Sequence, residues 1–485
     1  MLELLKGING FVWGIPTLLL ILGSGIFFSV KSGLFQLSYF PQAFLMFVRK
    51  MKPDKKKTEG ISAYQALCTA LAATVGTGNI AGVAGAITIG GPGAVFWMWI
   101  CAWMGMILKC AEASLAVRYR KKNRTGEWVG GPMYMIENGL GNKWKWLAVL
   151  YAFFGVVAAF GVGNATQVNA VLGGIHSAAE VFGIHIMPIA DYVIAGVLAI
   201  LVALMLSGGA KRIGTVAERL VPIASVIYLI LGLGVLAVRR DAIPEAFETI
   251  VKGAFSPGAM TGGVIGSFFT SCRIGASRGI FTNEAGMGTA SIAHAAADVK
   301  HPVEQGMMGI MEVFLDTIVI CSITAFVILC SGIQIPYGMD TGSELTSAAF
   351  SEIYGGWVAV LIALSLICFA LATILGWGYY GLRCAQYLFG EGAFRLFVFL
   401  QAATVILGAI LKTGTVWLLA DTVNGLMAIP NLIALLALSP EFINMIKQYQ
   451  SITGGNYENL NQRKSLRTVT YAEISSAGSS GAKCR

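Results

Sequence analysis

Two long apolar segments of this chain are each interrupted by Gly, Thr and Asn, and this pair of breaks restricts the fold more than any other feature. The first segment runs from Ile61 to Gly90 and breaks at Val75-Gly76-Thr77-Gly78-Asn79-Ile80. The second runs from about Thr261 to Ala297 and breaks at Ser277-Arg278-Gly279-Ile280-Phe281-Thr282-Asn283-Glu284-Ala285-Gly286. Inside a bilayer, backbone N–H and C=O groups have no water to bond, so irregular backbone survives only where protein buries it or it lines a cavity. Two such breaks, one in each half of a chain, are the pattern of a secondary transporter whose site lies at the bilayer midplane.

Composition puts the chain in the membrane. Of its 485 residues 56% are hydrophobic and only 12% are charged, with mean hydropathy +0.72, against about 25% charged in a soluble domain. The 60 glycines and 13 prolines suit close helix packing and broken helices. The net charge of +9 resides in short loops and is not the footprint of a nucleic-acid binder. Nine scattered cysteines form no Cys-x-x-Cys pair and read as buried thiols acting as small apolar groups. Residues 11–30 lack a polar cleavage region and read as a retained span, not a signal peptide.

Apolar stretches of roughly 20 residues are long enough to cross a bilayer. They fall at about 10–30, 61–90, 93–117, 146–176, 188–207, 216–238, 261–297, 305–332, 356–382, 394–411 and 415–438, the last two separated only by Lys412-Thr413-Gly414. The expected fold is therefore an all-α polytopic membrane protein of about eleven transmembrane helices. Loop 31–60 holds Lys31, Arg49, Lys50, Lys52, Lys55, Lys56 and Lys57, and loop 118–146 holds Arg118, Arg120, Lys121, Lys122, Arg124, Lys143 and Lys145. Lys211, Arg212, Arg219 and the basic tail fall on the same side, which makes that side cytoplasmic. The N-terminus is then outside and the C-terminus inside, with a polar tail expected to lack structure from Gly454.

The breaks fall in the second and seventh spans, five apart. Spans two to six enter from the inside and spans seven to eleven from the outside, which makes two five-helix repeats of inverted topology, each starting with a broken helix. The expected organisation is an extra N-terminal helix at 1–30, a basic cytoplasmic loop at 31–60 and a first repeat at 61–238. An extracellular connection at 239–260, a second repeat at 261–438 and a cytoplasmic tail at 439–485 follow.

At the first break, Gly76 and Gly78 leave helical geometry at little cost, and Thr77 and Asn79 bring side-chain hydrogen bonds. N–H groups at the start of the following half-helix suit a carboxylate, and carbonyls at the end of the preceding one suit Na⁺ or an ammonium. The Gly-x-Gly spacing imitates a nucleotide loop, but no strand precedes it. A tight helix crossing through Ala72, Gly76, Gly78, Gly82 and Gly85 is the plain structural alternative. At the second break, Arg273, Arg278 and Glu284 are ionisable groups in an apolar span, where such groups are functional by default. Glu284 is expected to pair with an arginine or to approach the cytoplasmic vestibule, as a structural ion pair or a gate, and is not read as a substrate ligand. Asn283 is the better ligand candidate, because its amide can meet either end of a zwitterion.

Asn164 and Gln167 share a helix face in the fourth span, as a ligand pair or as an interhelical hydrogen bond. Thr373 and Trp377 share one in the ninth, where a Trp at mid-depth suits a pocket wall or a gate. Ser365 and Thr373 carry hydroxyls suited to a hard cation. Glu112, Glu312, Asp316 and Asp421 are further gate or packing polars. The first break has no acidic residue, which disfavours a cationic substrate and favours a zwitterion that brings its own carboxylate. Phe281 and Trp377 beside small residues suggest a tight pocket. The four histidines show no metal spacing, and no Ser/His or paired-Asp arrangement suggests an intramembrane enzyme. An uncoupled channel or facilitator is the other class to weigh, although channels tend to repeat their filter across symmetric subunits.

Three motifs carry a resemblance. Ala73-Thr74-Val75-Gly76-Thr77-Gly78-Asn79-Ile80-Ala81-Gly82-Val83-Ala84, Gly130-Gly131-Pro132-Met133-Tyr134 and Phe281-Thr282-Asn283-Glu284-Ala285-Gly286-Met287-Gly288 are similar to those of the alanine or glycine:cation symporters, also called sodium:alanine symporters. The resemblance covers about residues 10 to 450. It implies a prokaryotic inner-membrane symporter of the leucine-transporter fold, with an added first helix. Such a protein takes up small neutral amino acids with Na⁺ as coupling ion; a glutamine-specific or H⁺-coupled variant is the alternative. By that resemblance the substrate pocket draws on Gly76, Thr77, Gly78, Asn79, Gln167, Phe281, Asn283, Thr373 and Trp377. The Na⁺ site lies between the second and ninth spans, at Ala73, Gly76, Ser365 and Thr373.

Overall fold

The computed structural model describes residues 2–51, 60–265, 267–339, 341–410 and 413–453. The tail from Gly454, residues 52–59 of the basic loop and the side chain of Asp421 lie outside the described residues. Helices occupy all eleven apolar stretches. The other spans are Glu3–Lys31, built of helices Leu2–Val12 and Ile15–Lys31, then Gly93–Arg118, Asn142–Val181, Pro188–Leu206, Gly209–Val238, Pro302–Cys330, Val358–Phe389 and Ala393–Ile410, and Thr413–Ala437 forms the eleventh. A separate helix covers Ser439–Thr453.

The second span is broken as its sequence requires. Ser62 and Gln65 cap its start reciprocally: the Ser62 hydroxyl accepts the Gln65 N–H and the Gln65 side chain accepts the Ser62 N–H, each at 3.0 Å, which satisfies two donors that a helix start leaves open. Helix Ala63–Thr74 then stops at Val75, which is extended (φ −74°, ψ 98°). The chain restarts at Gly78 and runs to Gly90 at a bend of 52°. The seventh span breaks by a different device. Helix Phe268–Asn283 ends at Glu284, which has the left-handed φ of 53°, and Gly286 and Gly288 follow at φ 89° and 78° before helix Thr289–His294. Gly accepts such angles freely, whereas a left-handed glutamate is uncommon and marks a position held by its surroundings.

Several features differ from the sequence expectation. The seventh span begins at Phe268, not near Thr261, because Gly262 and Gly263 adopt positive φ and turn the chain. The connections hold their own helices, Phe40–Lys50, Ile243–Phe255 and Ser343–Tyr354. Three spans contain wide π-helical turns, at Gly78–Gly82, Gly161–Ala165 and Phe314–Cys321. Such turns collect at functional sites, and no periodicity of side chains announces them.

Close backbone approach sets the packing. A Cβ on Gly376 would stand 2.9 Å from Ala73, and one on Gly309 would stand 2.9 Å from Lys109. The first contact seats the ninth span against the first break; the second seats the eighth span against the third. At one end of the molecule the two broken spans meet. Ile61 and Ala297 form a parallel bridge, with Asp298 N–H donating to Ile61 O at 2.9 Å. A short hairpin pairing Lys121–Lys122 with Trp128–Val129 lies against them. Arg120 stacks over Trp128 at 4.3 Å and donates to the Ala295 and Ala297 carbonyls.

Candidate functional site

The first break, the fourth span and the ninth span line a narrow cavity of about 10 Å³, bordered by Ala73, Thr74, Gly76, Thr77, Gly78, Val162, Gln167, Phe281, Glu284, Thr373 and Trp377. All the side chains that line it are buried. Because helix Ala63–Thr74 stops at Val75, carbonyls of its last turn lose their usual partners four residues on. The Thr373 hydroxyl faces this point: a Cβ on Gly76 would lie 2.6 Å from Thr373 Oγ1, and that oxygen is fully buried with no hydrogen bond among the described residues. An orphaned hydroxyl beside freed carbonyls matches the oxygen-only donor set that a hard monovalent cation takes. Thr77 and Gly78 open the following half-helix, and the first N–H groups of a helix lack intrahelical partners and suit an anion.

Gln167 forms the opposite wall. The wide turn at Gly161–Ala165 frees the Val162 carbonyl, which accepts from Gln167 Nε2 at 3.1 Å and from Thr166 Oγ1 at 2.6 Å. Gln167 Oε1 accepts in turn from the Thr77 hydroxyl at 3.2 Å. The same turn lets Gly163 press against Trp377, where a Cβ would come within 2.1 Å of the Trp377 Cβ. Phe281 closes the remaining side, next to Gly78.

Two asparagines named from the sequence do not reach the cavity. Asn79 turns away from it: its Oδ1 accepts the Gly76 N–H at 2.8 Å and its Nδ2 donates to Asp316 Oδ1 at 2.7 Å. The Gly76 N–H is thereby occupied. Asn283 caps the second break, its Oδ1 accepting the Ala285 N–H at 2.9 Å and its Nδ2 donating to Thr317 Oγ1 at 3.1 Å. Both are buried polar groups whose hydrogen bonds stabilise the breaks. Ser365 is also remote. It lies eight residues before Thr373 on one helix, about 12 Å along the axis, and its hydroxyl is bonded to the Leu361 carbonyl at 2.9 Å. Ala73, Gly76 and Thr373 are brought together; Ser365 is not. Asn164 is likewise committed elsewhere, donating to the Gln401 carbonyl at 2.7 Å.

Glu284 lines the cavity, where the sequence suggested an arginine partner or the vestibule. It accepts from the Thr289 hydroxyl, and the basic group its surroundings supply is Lys109 of the third span. Arg273 is exposed and Arg278 half-buried. Lys109, absent from the sequence reading, is completely buried. Its signal was present: a lysine in an apolar span, three residues before Glu112 and so on the same helix face.

The model of the sodium:alanine symporter family matches residues 1–462. The sodium/alanine symporter AgcS of Methanococcus maripaludis is 43% identical over 464 residues, covering 94% of this chain and 99% of that protein. A Bacillus subtilis protein named "Probable sodium/glutamine symporter GlnT" is 36% identical over 452 residues, 92% of this chain and 91% of that one. Among solved structures, MhsT in complex with L-phenylalanine matches with a TM-score of 0.57 at 14% identity, over 81% of this chain and 99% of that one. At that identity the likeness is one of fold.

Proposed function

Because the chain belongs to the sodium:alanine symporter family, we propose that it imports small neutral amino acids, alanine or glycine first, with Na⁺ by alternating access. The coarser statement, a prokaryotic multi-pass membrane protein for cation-coupled amino-acid symport, follows from the family itself. The observation that carries the finer reading is the orphaned Thr373 hydroxyl beside Gly76, just past the point where helix Ala63–Thr74 stops.

Na⁺ is a substrate here. Ala73, Gly76 and Thr373 would hold it with carbonyl and hydroxyl oxygens. The amino-acid carboxylate would meet the N–H groups of Thr77 and Gly78, with Gln167 oriented beside it by Thr77 and Val162. Phe281 and Trp377 would limit the side chain, and Glu284 would take the ammonium, balancing its charge across the cavity. Asn79 and Asn283 would act by holding the two breaks in shape. Coupling then has a physical origin: a bound cation favours the neighbouring carboxylate, and by reciprocity the carboxylate tightens the cation. The membrane potential adds about 2.3 kcal/mol per charge per 100 mV. In this reading residues 61–238 and 261–438 are the inverted repeats and residues 1–30 the added helix. The end that carries Arg120 faces the cytoplasm, as the Lys/Arg distribution favours.

The test is uptake of labelled alanine into proteoliposomes with Na⁺ outside and K⁺ inside, compared with K⁺ on both sides. Accumulation above equilibrium only with the inward Na⁺ gradient is expected, with glycine, serine and glutamine as competitors to set specificity. Equal uptake in both conditions would overturn Na⁺ coupling in favour of an uncoupled facilitator.

A further inference from the structure

A larger recess opens at the end of the molecule that carries the hairpin, and it shares no lining residue with the cavity between the broken spans. Its volume is about 570 Å³, and Lys121, Tyr134, Glu137, Lys145, Val149 and Phe389 are among its walls. Separate elements supply them. Lys121 comes from the hairpin. Tyr134 and Glu137 come from the short turns Pro132–Met135 and Ile136–Leu140. Lys145 and Val149 lie at the start of helix Lys145–Phe160 in the fourth span, and Phe389 is the last residue of the ninth.

The mouth of the recess is basic. Lys121 holds its ammonium 4.8 Å from the centre of the Tyr134 ring, a contact that uses its charge but no N–H donor. Lys145 stands 3.1 Å from Glu137, which takes one of its three donors. Two lysines thus share one carboxylate, since Glu137 also interacts with Lys121. The other polar groups at this end are committed to one another: Arg383 donates to Glu127 at 2.7 Å and to Gln386 Oε1 at 3.0 Å, and Gln386 Nε2 donates to Glu391 at 3.2 Å. Loop 118–146, which forms most of the mouth, has seven Lys and Arg residues against Glu127 and Glu137. An anion is therefore the favoured occupant.

Deeper along the fourth span the surface turns apolar. Lys145, Val149 and Phe153 follow one another at intervals of four, on one helix face, and Val149 and Phe153 are 42% and 54% exposed. Phe389, across the recess, is 74% exposed. Trp144 and Trp146 stack with ring centroids 6.4 Å apart beside Lys145, and tryptophans collect at the depth of lipid headgroups. A lysine at a span end ordinarily extends into bulk water; here two, from different elements, border one recess above an apolar stripe. A soluble phosphate compound would match the lysines and leave Val149, Phe153 and Phe389 uncovered. We propose that this recess binds an anionic phospholipid, with its phosphodiester between Lys121 and Lys145 and one acyl chain along Val149 and Phe153. Basic pockets between membrane helices hold lipid headgroups by this combination of charge and depth. The headgroup links the hairpin to the fourth span, so binding stabilises the folded chain by mass action.

The experiment is native mass spectrometry of the full chain in detergent, titrated with phosphatidylglycerol or with phosphatidylcholine of the same acyl chains, and with glycerol 3-phosphate as a competitor. The first phosphatidylglycerol is expected to bind roughly tenfold or more tightly than phosphatidylcholine, with about a fivefold share from each lysine. Lys121→Gln leaves the Lys145–Glu137 pair in place and is the deciding variant; Lys145→Gln is the second. Each is expected to lower the preference for phosphatidylglycerol about fivefold. Lys252→Gln, in helix Ile243–Phe255 and outside the recess, is expected to leave it unchanged. Equal binding of the two lipids, or the same loss in Lys252→Gln as in Lys121→Gln, overturns the proposal. Displacement of phosphatidylglycerol by an equal concentration of glycerol 3-phosphate overturns it in favour of a soluble anion. No transport is measured, so each outcome is separate from the fate of the symport reading.

Discussion

The side-chain amide of Asn79 bridges two interrupted elements: its oxygen holds the Gly76 N–H and its nitrogen holds Asp316 at 2.7 Å. One residue thus shapes the first break and ties it to the wide turn of the eighth span. This explains why a polar residue in a membrane helix is buried away from the cavity it helps to form.

Asn79→Ala removes both bonds and leaves the buried Asp316 carboxyl short of a donor. A lost partner to a charged buried group costs about 1–3 kcal/mol. The variant is expected to unfold at a lower temperature in a thiol-independent dye assay and to transport poorly. Wild-type thermal stability in this variant would contradict the bridging role.

Gly76→Ala places a methyl 2.6 Å from Thr373 Oγ1. Overpacking of this kind costs about 1–3 kcal/mol, and the methyl also occupies the proposed cation position. Combining it with Thr373→Ala is expected to restore thermal stability without restoring Na⁺-driven uptake, because the hydroxyl ligand is gone. Recovery of uptake in the double variant would remove Thr373 from the cation site, whereas Thr373→Ser alone is expected to retain most activity.

Gln167 lines the cavity and Asn283 does not, so their removal has different kinetic signatures. Gln167→Ala is expected to raise the apparent KM for the amino acid by about tenfold or more, the equivalent of roughly 1.4 kcal/mol. Asn283→Ala is expected chiefly to lower the maximal rate, since it loosens the turn at Ala285 and Gly286. Uptake curves against alanine concentration distinguish the two, and a pure KM effect at Asn283 would return it to the pocket.

Arg120→Ala deletes the bonds to the Ala295 and Ala297 carbonyls and the stack on Trp128. The joint of the broken spans should open more often at that end. Faster labelling of a cysteine introduced at Ala297 by a membrane-impermeant thiol reagent, added to the side bearing the hairpin, is the expected result; unchanged labelling would show that the Ile61–Ala297 bridge suffices.

Many residues of the candidate cavity were named before any coordinates. Gly76, Thr77, Gly78, Gln167, Phe281, Thr373 and Trp377 line one cavity, and they were named from the broken spans, the shared helix faces and the family resemblance. Direction was less legible. Asn79 and Asn283 carry the same amide as a ligand would, but their nearest unsatisfied partners, Asp316 and Thr317, lie more than 30 residues away in sequence. Ser365 failed for a simpler reason: two hydroxyls on one helix need a spacing of three or four residues to share a face and a depth.

Apolar length and the paired breaks marked the chain from the sequence alone as a polytopic helical membrane protein with interrupted spans, because a bilayer leaves the backbone few alternatives, and three motifs carried the resemblance to the family. The tertiary structure alone decided which buried polar groups face the cavity and which face one another. It brought Lys109, Glu112, Glu284, His294 and Glu312 from different spans into one centre. Such a meeting depends on close contacts such as Gly309 against Lys109 and on wide turns that rotate a helix face, and neither leaves a periodic trace along the chain.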